Sequence, residues 1–344
     1  MKLKTKASLL FLICCTLYLA LSALIGVPAL IFNASNNLLF FLNALLVSIP
    51  AFLIPAVVFR RVNKFPFFKA PKFWQIVLAA VIGIGCVNMN QSLTYFNAAV
   101  FYNIDVASNS TSAETVTDLS VLNLFFSLAI IPPIAEEFLM RGTLLESWRR
   151  YSPVGAMIIT SLLFALLHAA PSAFIVYFAI GMLLALVYII TRNAWLTVII
   201  HFVNNLSSVI AALFLKYSSA DPSPEAVAAE SELSIKLSEF MESRLGYLVY
   251  AFIFMLIAAS FIVPGVLILR AVFRKKKLGK YSEGEIVEIE GERLLMPLPE
   301  LKDGALANGN RIAILEDVML WVAIDLLALI NILSALSEFG IIKA

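Results

Sequence analysis

The stretch SVLNLFFSLAIIPPIAEEFLMRGTLLES, residues 120–147, decides the fold class. It is long and apolar enough to cross a bilayer as a helix, since about 20 residues span a hydrocarbon core of about 30 Å. Yet its interior carries Glu136, Glu137 and Arg141. Ionisable side chains in hydrocarbon cost on the order of 3 kcal/mol or more, so they face a cavity or one another and mark functional sites. Working outward, two further apolar stretches hold one histidine each, His168 and His201, and these 2 are all the histidines in the chain. The pattern predicts a membrane protein with a buried polar centre.

Composition points the same way. With 61% hydrophobic and 14% charged residues over 344 positions and a mean hydropathy of +0.92, the chain is too apolar for a soluble domain. The expected fold class is all-α, a polytopic transmembrane helical bundle. A net charge of +2, with the basic residues in short clusters beside apolar runs, leaves no nucleic-acid footprint. Cys14, Cys15 and Cys86 all fall in apolar runs without CxxC or Cys/His spacing, so neither a disulfide framework nor a thiolate metal site is expected.

Apolar spans are read near 7–32, 38–59, 75–98, 120–147, 153–170, 172–191, 194–215 and 246–270, with a ninth expected at 312–337. The regions that follow are N-terminal transmembrane helices (1–119), a helical core bearing the polar motifs (120–215), a loop with the eighth helix (216–277), and a polar segment with the ninth (278–344). The first run is too long for the h-region of a signal peptide and reads as an anchor. Arg60, Arg61, Lys64, Lys69 and Lys72 follow the second span, and Arg274, Lys275, Lys276, Lys277 and Lys280 follow the eighth. By the positive-inside rule both linkers are cytoplasmic, as is the N-terminus. The 101–119 linker, whose charges are Asp105, Glu114 and Asp118, and the net acidic 217–245 linker fit the other side. Arg149, Arg150 and Arg192 then also fall inside. A multi-pass protein of a bacterial plasma membrane is expected.

At 1.5 Å per helical residue, Glu136 lies about 20 Å from Arg149, and His201 about 10 Å from the cytoplasmic start of its helix. All the polar groups therefore sit within the slab but at different depths, so tilted or broken helices must bring them together. Pro132 and Pro133 could supply one break. The site is expected to open to the cytoplasmic side.

Glu137 and Arg141 stand four apart and share a helix face, where a charge-assisted pair lowers the cost of burying both. Glu136 is turned about 100° away. It is the carboxylate left to act as a base on water or to bind a cation, against the alternative of a purely structural ion network. His201 and Asn205 share a face on another helix, so the amide can orient the imidazole or help hold a polarised oxygen. Phe164 precedes His168 by one turn and packs above it. Each histidine alone could be an interhelical hydrogen-bond partner. The chemistry rests on the set.

In order, Glu136-Glu137-x-x-x-Arg141, Phe164-x-x-x-His168 and His201-x-x-x-Asn205 resemble the three motifs of the CPBP intramembrane proteases, which include type II CAAX prenyl endopeptidases and bacteriocin-immunity (Abi) proteins. The resemblance covers about residues 120–215. It implies a catalytic set of Glu136, Glu137, Arg141, His168, His201 and Asn205. In that set Glu136 activates water, His168 and His201 assist or bind a metal, and Asn205 contributes to an oxyanion site. Glu137 and Arg141 mainly hold the architecture. A divalent metal such as zinc would take His168 and His201 with Glu136, Glu137 or Asn205 completing the shell. Direct glutamate–histidine activation of water stays open beside it.

The implied activity is that of an intramembrane endopeptidase, metal- or glutamate-dependent, acting in the lipid bilayer on a membrane-embedded or lipid-anchored peptide, including a prenylated or CAAX-like one. The alternative is a non-proteolytic membrane protein that uses the same buried centre for partner binding, as in bacteriocin immunity, or for proton or cation transport. No second copy of the motifs is present, as the paired repeats of transporters would suggest. Residues 278–310 read as a solvated spacer or small hairpin. Asp325 in the ninth span reads as a helix-packing residue. Asn88, Asn90, Gln91 and Ser92 read as interhelical hydrogen-bond partners that can also line the cavity.

Overall fold

The computed structural model of the chain describes residues 2–31, 35–66, 68–102, 119–149, 151–218, 238–277, 285–289, 292–296 and 317–338. Nine apolar helical stretches are found among them. The first, α1, is Leu3–Ile31, and α2 is composite, with Asn36–Leu42, a π-helical Asn43–Leu53 and Ile54–Val62 in one rod. After α3 (Phe73–Val100) comes α4, again composite: Val121–Leu124, π-helical Phe125–Ile130, Ile131–Leu139, π-helical Met140–Leu145 and Glu146–Trp148. The remaining helices are α5 (Pro153–Leu167), α6 (Phe174–Thr191), α7 (Ala194–Ser218), α8 (Arg244–Lys277) and α9 (Val318–Glu338). All but α5 are long and apolar enough to cross a membrane. The protein is a polytopic helical membrane bundle, with the ninth helix where it was expected.

Two departures from the expected pattern shape the interior. The first is α5, which has 15 residues where the sequence predicts 18 over 153–170. Ser152 caps it by accepting from the Gly155 amide at 3.1 Å, and Pro153 at the first turn has no amide to leave unpaired. At about 22 Å it is shorter than the hydrocarbon slab, so its C-terminal end stops inside the protein. The second is the break in α4. It comes as π turns on either side of Glu136 and Glu137, each adding an unpaired residue to the helix, with Pro132 and Pro133 opening the α-helical piece between them.

Arg60, Arg149 and Arg192 share one end of the bundle, as the alternating topology requires. Glu146 accepts from Arg149 Nε at 2.6 Å, Arg192 Nη1 at 3.3 Å and Tyr188 Oη at 2.9 Å. Arg60 is almost fully buried, donates to the Gly142 and Pro66 carbonyls, and lies 4.0 Å over the Phe68 ring. The other topology signals, Asp105, Glu114 and Asp118, Arg150, most of the acidic 217–245 linker and Lys280, lie outside the described residues.

Beyond α8 the chain forms an antiparallel hairpin, β1 (Glu285–Ile289) and β2 (Glu292–Met296), paired Glu285 to Met296 and Ile289 to Glu292. This is the small hairpin allowed for above, and an exception to an all-α chain. The rest of 278–316 lies outside the described residues. Asp325 is exposed on α9, so it is not the helix-packing residue expected.

Helices α3 and α7 meet across Gly83, where a Cβ would fall 2.7 Å from Val203 Cβ. Bulk there must push the helices apart. Gly83→Leu is expected to cost about 1–3 kcal/mol, read as an earlier thermal unfolding midpoint in detergent. Gly26→Leu, where an added Cβ meets nothing within 4 Å, should leave the midpoint in place.

Candidate active site

From its central α-helical piece and the π-helical piece that follows, α4 turns Glu137 and Arg141 inward, and both are fully buried. Arg141 Nη1 donates to Glu137 Oε1 at 2.8 Å, while Nη2 donates to the Gly181 carbonyl of α6 at 3.1 Å. The guanidinium also lies 4.7 Å over the Phe164 ring of α5. Gly181 is needed for this approach, because a Cβ there would come within 3.1 Å of the Ser161 backbone. The i,i+4 pair predicted from sequence is present and joins three helices.

Glu137 Oε1 has a second partner. His201 Nδ1 of α7 lies 3.2 Å from it, and against a carboxylate this nitrogen carries the proton. The other nitrogen, Nε2, keeps its lone pair and faces Glu136 Oε2 at 4.0 Å. His168 is held in the same sense: its Nδ1 lies 2.7 Å from the Phe164 carbonyl, which can only accept, so its Nε2 is also the bare nitrogen. The His168 ring stacks on Tyr177, with centroids 3.9 Å apart and planes 20° from parallel. Phe164 packs against both imidazoles, at 4.7 Å from His168 and 5.8 Å from His201.

Glu136 differs from its neighbour. Its Oε2 is buried and has no hydrogen-bond partner, and the residue lines two adjoining cavities of about 370 and 330 Å³. Glu137 also has an unpartnered Oε2 but lines neither cavity. The first cavity reaches Tyr18 of α1 and Phe40, Asn43 and Phe52 of α2. The second is bounded by Asn90, Tyr177, His201, Asn204 and Asn205. His168, Phe164, Leu128 and Pro132 border both together with Glu136. These linings run from mid-depth toward the end of the bundle away from Arg60, Arg149 and Arg192, whereas the sequence suggested a site open at that basic end. The reason is that the first halves of α2 and α4 supply the walls, and the basic clusters follow their last turns.

Asn205 lines the second cavity with its amide fixed at both ends. Nδ2 donates to the Leu128 carbonyl at 3.0 Å, and Oδ1 accepts from Asn204 Nδ2 at 3.3 Å. Asn204 in turn accepts from Asn90 Nδ2 at 3.2 Å. Asn90 thus both bonds across helices and lines the cavity, the two roles its sequence context allowed. Sequence reasoning missed Asn204 and Tyr177. A second amide beside Asn205 inside an apolar run was a usable signal for Asn204. Tyr177 had none, because the turn after α5 places it under His168.

As they stand, these groups do not form a ready metal site. Among the described residues no three His, Cys, Asp or Glu side chains cluster as a ligand set. The Glu137 oxygen nearest the imidazoles is already shared by Arg141 and His201. What the arrangement offers directly is a free carboxylate oxygen 4.0 Å from the bare Nε2 of His201, at cavities that His168 also lines.

The fold and this centre define a polytopic membrane protein with one glutamate and two histidine motifs in its interior. Residues 118–207, which contain every motif position, match the family described as type II CAAX prenyl endopeptidase Rce1-like. The resemblance to the CPBP intramembrane proteases is borne out over that segment. The chain is also 26% identical, over 152 residues, to the membrane-embedded CAAX protease MroQ of Staphylococcus aureus (strain USA300), an alignment covering 42% of this chain and 61% of that protein. The match thus spans less than two thirds of the relative's length. No solved structure matches the chain.

Removing the guanidinium should leave a buried, unpaired carboxylate. Arg141→Met is expected to destabilise the protein by about 3–5 kcal/mol, and the double variant Glu137→Gln/Arg141→Met to recover part of that loss. Thermal unfolding of the detergent-solubilised proteins measures the coupling; additive losses would show that the two residues do not act as a pair.

Proposed function

We propose that the protein is an intramembrane endopeptidase that hydrolyses a peptide bond of a membrane-embedded or lipid-anchored peptide, with water activated by Glu136. The observation that carries this reading is the buried, unpartnered Oε2 of Glu136, a residue that lines both cavities, with His201 Nε2 4.0 Å away. That separation is too long for a direct hydrogen bond and suits a water held by both atoms. Glu136 takes a proton from this water as its oxygen attacks the scissile carbonyl. Charge then develops on the carbonyl oxygen, where the second Nδ2 hydrogen of Asn205 can stabilise it. The proton held by Glu136 passes to the departing amine as the C–N bond breaks.

Glu137 serves this chemistry indirectly, by fixing His201 with Nε2 toward the cavity, and Arg141 holds Glu137 in place. The substrate lies along the first cavity, whose walls of Tyr18, Phe40, Phe52 and Asn43 offer apolar surface with a few polar contacts. A CAAX-like peptide is the substrate class suggested by the family description and by the relative's name. The basic clusters support a cytoplasmic N-terminus, and the bacterial relative supports a bacterial plasma membrane.

Glu136→Gln tests the central claim. It keeps the size of the side chain and removes the base, so cleavage of a CAAX-type test peptide in proteoliposomes should fall by at least about a hundredfold with unfolding temperature unchanged. Full activity in that variant would sink the mechanism. A partner-binding or transport role predicts no cleavage by the wild type either. Elemental analysis separates the direct mechanism from a metal-dependent one: the direct mechanism predicts no stoichiometric metal, while one equivalent of zinc lost in His168→Ala/His201→Ala would assign His168, His201 and Glu136 to a metal.

A further inference from the structure

The turn that carries His168 is an unusual piece of backbone to find inside a membrane protein. Helix α5 ends at Leu167, and Ala169 adopts φ 46°, a left-handed conformation that favours glycine and costs a β-carbon-bearing residue about 1 kcal/mol or more. The last carbonyls of a helix have no partner within it, and hydrocarbon offers none. His168 Nδ1 takes one of them, Phe164. The His168 and Ala169 amides meet those of Ala165 and Leu166 at 3.2 Å each, and the Leu166 and Ala169 carbonyls also accept from outside the segment that matches the family.

Three side chains on one stripe of α9 reach this turn. Asn331 Nδ2 donates to the Leu166 carbonyl at 2.8 Å, and Ser334 Oγ donates to the Ala169 carbonyl at 2.6 Å. Glu338, 1% exposed, accepts from the Ser172 amide at 3.0 Å. On the other side, Asn97 of α3 donates to the Ser172 carbonyl. The spacing of 331, 334 and 338 keeps all three on one face over two turns. Between them they fix backbone on both sides of His168 and Ala169.

We propose that Asn331, Ser334 and Glu338 are positioning residues for His168, so that α9, a helix outside residues 118–207, sets the imidazole of the site. The rotamer of His168 depends on the Phe164 carbonyl and the Tyr177 ring, and both references hold only while the backbone between Leu166 and Ser172 keeps its shape. Loss of a hydrogen bond from α9 lets Ala169 relax toward ordinary helical or extended angles. The ring then turns with the chain, and Nε2 changes its place in the cavities that His168 and Glu136 both line. The kinetic part of this proposal rests on the proteolytic reading above; the geometric part does not.

The experiment uses the fact that the chain has 2 histidines. In full-length protein labelled with ¹⁵N-histidine, two imidazole spin systems appear, and His168→Ala assigns them. Ser334→Ala and Glu338→Leu are expected to shift the His168 ring nitrogens and leave those of His201 in place. Ser334→Thr and Glu338→Gln, which keep the donor and the acceptor, should restore the wild-type spectrum. In the peptide-cleavage assay the two disruptive variants should lower kcat by about tenfold to a hundredfold with KM near that of the wild type. An unshifted His168 ring in both variants overturns the proposal, as does an equal shift of both histidines accompanied by a lowered unfolding temperature. If the wild-type protein cleaves nothing, the proteolytic reading falls while the ring spectra still decide the role of α9.

Discussion

A fully buried guanidinium is the constraint to which the rest of the centre answers. Arg141 cannot shed its charge, so every one of its contacts must compensate for lost water, and those contacts come from Glu137 of its own helix, the Gly181 carbonyl of α6 and the face of Phe164 on α5. Glu137 then has one oxygen committed, and His201 of α7 is drawn to that same atom. Four helices are thereby registered around one charge pair. The pair is a weak source of net stability by itself, but breaking half of it is costly, and this asymmetry fixes the arrangement.

From that registration the division of labour between adjacent glutamates follows. One turn of helix separates Glu137 from Arg141, whereas Glu136 points about 100° away, into space that Pro132 and the π turns of α4 leave open. The same acidic side chain in two successive positions thus acquires two environments. Glu137 is saturated on one oxygen and shut off from the cavities; Glu136 keeps a buried oxygen with no partner. Both imidazoles follow the same rule, each with Nδ1 tied to an acceptor and Nε2 left bare. The short α5 brings one of these rings to mid-depth by ending there, and the backbone that such an ending exposes is covered by α9.

Sequence by itself determined the class and the pairings that lie within a helix. Apolar runs of this length in a chain of this hydropathy read as membrane-embedded helices, and nine helical stretches appear where the runs lie, eight of them long and apolar enough to span. The Glu137–Arg141 pair and the packing of Phe164 over His168 were legible because residues three or four apart share a face whatever the tertiary fold. The motifs likewise named Glu136, Phe164, His168, His201 and Asn205, five of the residues that line the cavities, since polar groups in hydrocarbon have few other places to go.

Tertiary structure decided what periodicity cannot encode. Only packing could show that His201 shares an oxygen with Arg141, that Asn205 is held by Asn204 and Leu128, and that the cavities lie away from the basic end rather than beside it. Partners 64 and 77 positions apart meet through helix tilt and crossing, quantities summed over every contact in the bundle. The turn after α5 illustrates the same limit: Ala169 gives no local sign of a positive φ, and its conformation is held by side chains 165 residues further on. Composition and spacing fix what must be buried and which neighbours share a face, because those follow from the solvent and the helix repeat; which buried group finds which is a property of the whole packed assembly.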